Sequence, residues 1–244
     1  DYKVTGVQTC ALPISDDLAL IAKHQPPFVV TALGSPKPAV ETVHAYGGTV
    51  IADVTSPMLA RKALAAGADG LACICTGAGG HTGTLSPFAF ASAVRAFHQG
   101  PLIIGGGISD GAGIAGAIAT GADYVYMGTS FVAASESLAS QPYKDMLAAA
   151  GIEDLLVSAG ITGTPASWLK PSLIANGYDP ANMPDAPGKA YDSTQNQSAK
   201  RWADVWSAGQ GVGAVKGTEP VAVIVDRLAA EYAAARARFM VASA

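Results

Sequence analysis

The sequence is poor in charge, in aromatic residues and in cysteine. Asp, Glu, Lys and Arg make up 14% of its 244 residues, against about a quarter in an average soluble domain. With 15 basic and 19 acidic side chains the net charge is −4. No segment concentrates Lys and Arg, which argues against an electrostatic partnership with nucleic acid or with a membrane surface. The three cysteines, Cys10, Cys73 and Cys75, are too few and too uneven for a disulfide framework, and they fit a reducing, cytoplasmic setting. No apolar run is long enough for a transmembrane helix. No spacing of His and Cys makes a metal-ligand set, and no Ser-His-Asp arrangement stands out. What is abundant is apolar: 50% of the residues are hydrophobic, which excludes disorder as the dominant state. Twenty-eight glycines and 15 prolines are spread through the chain, as many short turns require. The length suits one large α/β domain or two small ones.

A repeat begins at residue 28. Short apolar runs at 28–33 (FVVTAL), 49–54 (TVIADV), 69–74 (DGLACI), 101–104 (PLII) and 124–127 (YVYM) read as strands. Helix-like stretches stand between them, with Ser56-Pro57 and Ser86-Pro87 as helix starts and Ser109 as the expected cap of the helix after the fourth strand. The junction Ala65-Ala66-Gly67-Ala68-Asp69-Gly70-Leu71 matches Ala119-Thr120-Gly121-Ala122-Asp123-Tyr124-Val125. Each is a helix end, a glycine and a strand start. Continuous apolar strands alternating with helices predict a parallel sheet covered on both faces. Either a (β/α)₈ barrel or an open doubly wound sheet accommodates this pattern. From residue 151 the chain is richer in turns and polar residues, carries Trp168, Trp202 and Trp206, and closes on a helical segment at about 221–239. It reads as a cap or extension on the βα core.

Four histidines are present. His24, His44 and His98 fall near expected helix ends, where a partial positive charge is favourable, and read as structural. His81 differs. It lies in Gly77-Ala78-Gly79-Gly80-His81-Thr82-Gly83, directly after a strand, at the edge where α/β folds place their chemistry. Glycines let the backbone approach a ligand, and a histidine there can act as a base near neutrality. Gly105-Gly106-Gly107-Ile108-Ser109 leads from a strand into a helix, an arrangement that offers backbone N–H groups to an anion. Met127-Gly128-Thr129-Ser130 repeats this one strand later, and two such loops in tandem match the phosphate site that barrels build after their last two strands. Cys73 and Cys75 alternate along a strand and read as buried small hydrophobes. Gly209-Gln210-Gly211-Val212-Gly213 has glycines spaced somewhat like a dinucleotide fingerprint, but no strand precedes it. It reads as a loop closing over the site.

The segments GAGGHTGTLSPFAF, IIGGGISDG and ADYVYMGTSF together resemble the nitronate monooxygenases, also called 2-nitropropane dioxygenases. ITGTPASWL and GQGVG also look like segments of that family, and the likeness runs from about residue 28 to the C-terminus. The resemblance implies an FMN-dependent (β/α)₈ barrel with a cap. The five strands would be barrel strands four to eight, and the first three would be missing. It implies that Gly106, Gly107, Met127, Gly128 and Thr129 hold the FMN phosphate, with Tyr126 beside them and Gly79 and Gly80 near the flavin ring. His81 matches the family's active-site histidine. The implied reaction is oxidation of an alkyl nitronate, or its parent nitroalkane, by O₂ to a carbonyl compound and nitrite, without metal. The sequence departs from many relatives at Thr82 and Ser130, where they carry Arg, and at Ile74 or Cys75, where some carry Gln. These departures leave open an NAD(P)H-dependent flavin reductase of quinones or enoyl thioesters, like FabK. A phosphate-ligand-binding barrel without redox chemistry, or an inactive fragment, is a further alternative. Residues 1–14 (DYKVTGVQTCALPI) are not a signal peptide, and residues 4–14 resemble a translated sequencing adaptor. The expected organisation is therefore a non-native segment 1–14, a partial FMN-binding barrel 15–150 and a cap with closing helix 151–244.

Overall fold

The computed structural model describes residues 14–186 and 203–241. The expectation for residues 1–14 lies outside the described residues except at Ile14, and so do Cys10 and Trp202. The elements are α1 (Ile14–His24), β1 (Phe28–Thr31), α2 (Lys37–His44), β2 (Thr49–Val54), α3 (Pro57–Ala65), β3 (Gly70–Ile74), β4 (Gly80–His81), α4 (Pro87–Arg95), β5 (Leu102–Gly105), α5 (Gly111–Ala119), β6 (Tyr124–Tyr126), α6 (Thr129–Val132), α7 (Gln141–Ala149), β7 (Leu155–Ser158), β8 (Ala166–Leu169), α8 (Lys170–Ala175) and α9 (Val221–Val241).

The five strands expected from the repeat form one parallel sheet in the order β1-β2-β3-β5-β6. It curls into half a barrel, the α/β architecture of a TIM barrel. Among the described residues, β1 and β6 each pair on one side only. Strand alternation gives the sheet two faces. Ala52, Val54, Leu71, Cys73, Leu102 and Ile104 pack against Ala60, Ala63, Phe90, Ala91 and Val94 of α3 and α4. The other, concave face carries Asp53, Ala72, Ile103 and Tyr124, which lie in one register row, with Ile74, Gly105 and Tyr126 in the next.

The repeated junctions explain how the strands are aligned. Gly67 and Gly121 take φ of +97° and +105°, the left-handed region that favours glycine after a helix. Two residues later Asp69 accepts the Val50 N–H at 2.7 Å and Asp123 accepts the Leu102 N–H at 2.9 Å. Each aspartate fastens the start of its own strand to the start of the preceding one. His44 holds Asp69 at 2.9 Å and Arg95 holds Asp123 at 2.7 Å. These contacts keep both carboxyls below the ordinary carboxylate range, against the opposing effect of burial. His98 is buried, with its ring Nε2 3.2 Å from the Pro101 carbonyl. His44 and His98 are therefore structural.

Ser56 and Ser86 cap α3 and α4, accepting from Leu59 N–H and Ala89 N–H at 3.3 Å. The cap of α5 differs from expectation. Asp110, not Ser109, accepts the Gly113 N–H at 2.7 Å. Both residue types can cap, and the helix begins one residue later than the glycine loop suggests.

After α7 the chain forms a hairpin, β7 and β8, and β8 pairs antiparallel with β4 to give a second sheet, β4-β8-β7. Trp168 is fully buried under it with Ile161 and Leu173. The closing helix α9 returns to the first sheet's outer layer and lies along α5, where Glu231 accepts the Gly111 N–H at 2.9 Å. Among the described residues, no helix is long and apolar enough to cross a membrane.

Candidate functional site

The carboxyl ends of β3, β5 and β6 meet at one edge of the parallel sheet, and the segment 208–210 lies across them. Gly77 O accepts two backbone hydrogen bonds, from Gly107 N–H at 3.1 Å and from Gln210 N–H at 2.9 Å. Gly209 N–H donates to Thr129 Oγ1 at 3.0 Å. These contacts join the loop after β3, the loop after β5, the start of α6 and the GQGVG segment. The GQGVG segment is a short 3₁₀ turn, Gln210–Ala214, closing on the site loops as expected.

The glycines here serve two purposes. A Cβ on Gly79 would stand 2.6 Å from Gly209 N, and one on Gly106 would stand 2.7 Å from Thr76 O. Both positions are required by protein packing. Gly107 has φ of +69°, and the nearest atom to a Cβ there is Gln210 Oε1 at 3.7 Å; Gly128 has nothing within 4 Å. Open space beside the backbone is what a ligand cradle needs. At the start of α5, the N–H groups of Gly111 and Gly113 donate to the carboxylates of Glu231 and Asp110. Gly107 N–H is likewise used by Gly77 O. The open backbone at the Gly107 turn and at Gly128 remains.

His81 ends β4, opposite Ala166, and Thr82 N–H donates to Pro165 O at 3.1 Å. Thr82 is buried and its hydroxyl donates to Cys75 O at 3.1 Å. The histidine is thus fixed between the end of β3 and the second sheet. Gly80, with φ of +67°, provides the turn into it. Burial pushes the His81 pKa below its usual 6.5, so the imidazole is neutral at pH 7. A neutral imidazole can take a proton.

Tyr126 stands on the concave face and is partly exposed. Its phenol is pushed up to about 12 by burial and by the charge of Asp53. Met127 turns to the other side, where it packs with Ile114, Phe131 and Leu228. Only its backbone belongs to the site edge. Asp53, on the concave face of β2, is a titratable group of this region that sequence reasoning missed. The signal available was an acidic residue one short of the end of an otherwise apolar strand. Cys73 and Cys75 are buried on the helix side, with thiols pushed up to about 12 by burial. Among the described residues, no cluster of His, Cys, Asp and Glu could hold a metal ion.

Comparison with known proteins gives a concordant picture. The model of the family described as nitronate monooxygenase matches residues 4–231. A nitronate monooxygenase of Paraburkholderia phytofirmans is 29% identical over 246 residues, covering 94% of this chain and 67% of its own length. Another, from Pseudomonas aeruginosa, is 30% identical over 190 residues, covering 73% of this chain and 54% of its own length. The chain thus spans roughly half to two thirds of these relatives. Among solved structures, a nitroalkane oxidase of Streptomyces ansochromogenes superposes with a TM-score of 0.77 at 27% identity, covering 93% of this chain and 70% of the other. FabK of Thermotoga maritima superposes with a TM-score of 0.76 at 26% identity, covering 95% and 76%.

Proposed function

The chain belongs to the nitronate monooxygenase family, and from that premise we propose that it contributes the active site of an FMN-dependent oxidation of alkyl nitronates by O₂ to a carbonyl compound and nitrite. The observation that carries this reading is His81. It is anchored at the carboxyl edge beside Gly79 and Gly80, and burial keeps it in the neutral form. FMN, when bound, would supply the electron acceptor and the seat of the O₂ chemistry.

The residues fit such a group. Gly107 and Gly128 leave open space beside their backbones, where a phosphate can approach without meeting a Cβ. Gly106 sets the turn, and Thr129 ties that edge to the cap segment through Gly209. Tyr126 presents a neutral phenol on the same concave face, able to donate a hydrogen bond. Gly79 lets the 208–209 backbone pack against the loop, and Gly80, with φ of +67°, makes the turn into His81. When the substrate arrives as a neutral nitroalkane, His81 takes the α-proton onto its ring nitrogen. When it arrives as the nitronate, that proton is already gone, and His81 orients the anion.

His81→Asn is expected to leave FMN bound and to slow turnover of neutral nitroalkanes by about 10²–10⁴-fold, with a smaller effect on pre-formed nitronates. Equal turnover by the variant would refute the base. The likeness to FabK supports a second reading, a flavin reductase using NAD(P)H. An anaerobic titration separates the two. Bleaching of bound flavin by ethylnitronate but not by NADH supports the oxidation; bleaching by NADH supports the reductase. Tight binding of a sugar phosphate without flavin uptake would favour a non-redox barrel.

A further inference from the structure

The GQGVG segment carries a polar side chain that the reaction above does not use. Contacts fasten every residue from 206 to 210. Ser172 Oγ accepts the Trp206 N–H at 2.8 Å, and the Trp206 ring stacks on Tyr143 with 5.0 Å between centroids. Tyr143 donates its hydroxyl to Ser207 O at 2.6 Å, and Ser167 donates its own to Ala208 O at 2.8 Å. Gly209 and Gln210 donate their N–H groups to Thr129 Oγ1 at 3.0 Å and to Gly77 O at 2.9 Å. The backbone of Gln210 is thus set in place by α6, α7, α8, β8 and the loop after β3.

Its side chain is left over. Gln210 is exposed, and among the described residues its carboxamide has no hydrogen-bond partner. The carboxamide lies against two glycines of the site edge. A Cβ on Gly77 would stand 2.7 Å from Gln210 Oε1 and 3.1 Å from Gln210 Cδ. The side chain that Gly77 lacks therefore makes the berth of the carboxamide. A Cβ on Gly107 would have Gln210 Oε1 as its nearest neighbour, at 3.7 Å, an ordinary contact. Gln210 thus borders the open space beside Gly107, and its chain neighbour Gly209 is bonded to Thr129, next to the open backbone of Gly128.

The loops that meet at this edge, 76–79, 105–109, 127–130 and 208–210, contain no lysine or arginine. Backbone donors of the β5–α5 turn are already engaged: Gly107 N–H by Gly77 O, and Gly111 and Gly113 N–H by carboxylates. A carboxamide brings two N–H donors without charge, and a half-turn of its end exchanges its oxygen for its NH₂. We propose that Gln210 recognises a phosphate monoester at the Gly107 turn, its NH₂ donating to a phosphate oxygen. A hydrogen bond to a charged acceptor is about twice as strong as a neutral one. One donor on a fixed backbone can therefore separate a phosphorylated ligand from its unphosphorylated parent. On the flavin reading given above, on which the identity of the ester rests, the ester is FMN and the parent is riboflavin.

The test titrates the full chain, freed of flavin, with FMN and with riboflavin, following flavin fluorescence. The buffer is phosphate-free at about pH 8, where a phosphate monoester is a dianion. Gln210→Ala is expected to weaken FMN binding about 10–100-fold, the loss of one hydrogen bond to a charged group, and riboflavin binding less than about twofold. Gln210→Glu puts a carboxylate of the same length in place of the donor. It should weaken FMN binding further than alanine does and leave riboflavin alone. The ratio of the two Kd values cancels any general loosening of the segment. Equal losses for the two flavins, or an unchanged Kd for FMN, would overturn the proposal. Failure of the flavin reading shows separately, as a wild-type chain that takes up neither flavin. Calorimetry with glycerol 3-phosphate then decides: binding that Gln210→Glu abolishes supports Gln210, and absent or unchanged binding overturns it.

Discussion

The two faces of the five-stranded sheet are made from the same strands and have different fates. On the helix side, Leu71, Cys73, Leu102 and Ile104 are wholly buried against α3 and α4. On the concave side, Phe28 is 68% exposed and Tyr124 62%, and the carboxyl end carries Asp53 and Tyr126. One residue's shift along a strand exchanges these environments. Cys73 and Asp53 illustrate the difference: each is a potential chemical group, and parity makes the first a core filler and places the second on the concave face. Residue type alone does not separate the functional from the structural. The face on which the residue lands does.

The comparison predicts that damage to the two faces will be of different kinds. The sharpest case on the helix side is Phe90→Ala, which removes a fully buried ring from the cluster under β3 and β5. It should lower unfolding free energy by about 3–5 kcal/mol, measured by chemical denaturation. Flavin uptake per folded molecule should be unchanged. Were this variant to lose flavin while keeping its stability, the division between the faces would fail. A smaller effect is expected at the junction between the sheet's edge and the cap. Gly79→Ala brings a Cβ to within 2.6 Å of Gly209 N, so the 208–210 segment must shift. The expected cost is about 1–3 kcal/mol, as for overpacking, together with weaker FMN binding, because the Gly209–Thr129 contact lies on the same segment.

Much of this architecture was legible in the chain, and the reasons are local. The repeat Gly-Ala-Asp encodes a helix stop, a left-handed glycine and a carboxylate that pins two strand starts. All three act within a few residues, so the pattern survives in sequence. The Ser-Pro helix starts are equally local. The second sheet was not legible. β4 has only two residues, and β7 and β8, of four each, lie outside the strand–helix repeat that marked the first sheet. Their pairing is set by contacts distant in sequence, such as Ser167 Oγ donating to Ala208 O at 2.8 Å. His81 was visible through its glycine-rich setting, whereas its pairing to β8 was not. Asp53 was hidden because only Thr49 and Asp53 interrupt the apolar run of β2, too few to mark a polar face. The exact cap of α5 was ambiguous because Ser109 and Asp110 are adjacent and both can accept from a helix N-terminus.

The smallest expected effect tests the same division from its quiet side. Cys73 and Cys75 have side chains on the helix face, wholly buried, and Cys75 Sγ lies 3.4 Å from Cys73 O. Burial pushes both thiols up to about 12, so neither supplies thiolate at neutral pH. Either Cys→Ala substitution should cost about 1 kcal/mol of stability, a small buried group lost from a packed layer. Flavin affinity and turnover should not move. In the native protein both thiols should resist alkylation at pH 7.5 and become reactive on unfolding. Rapid labelling of native Cys75 would mean that the end of β3 opens toward the site, and the boundary between the filled face and the chemical one would then run through that strand rather than along its plane.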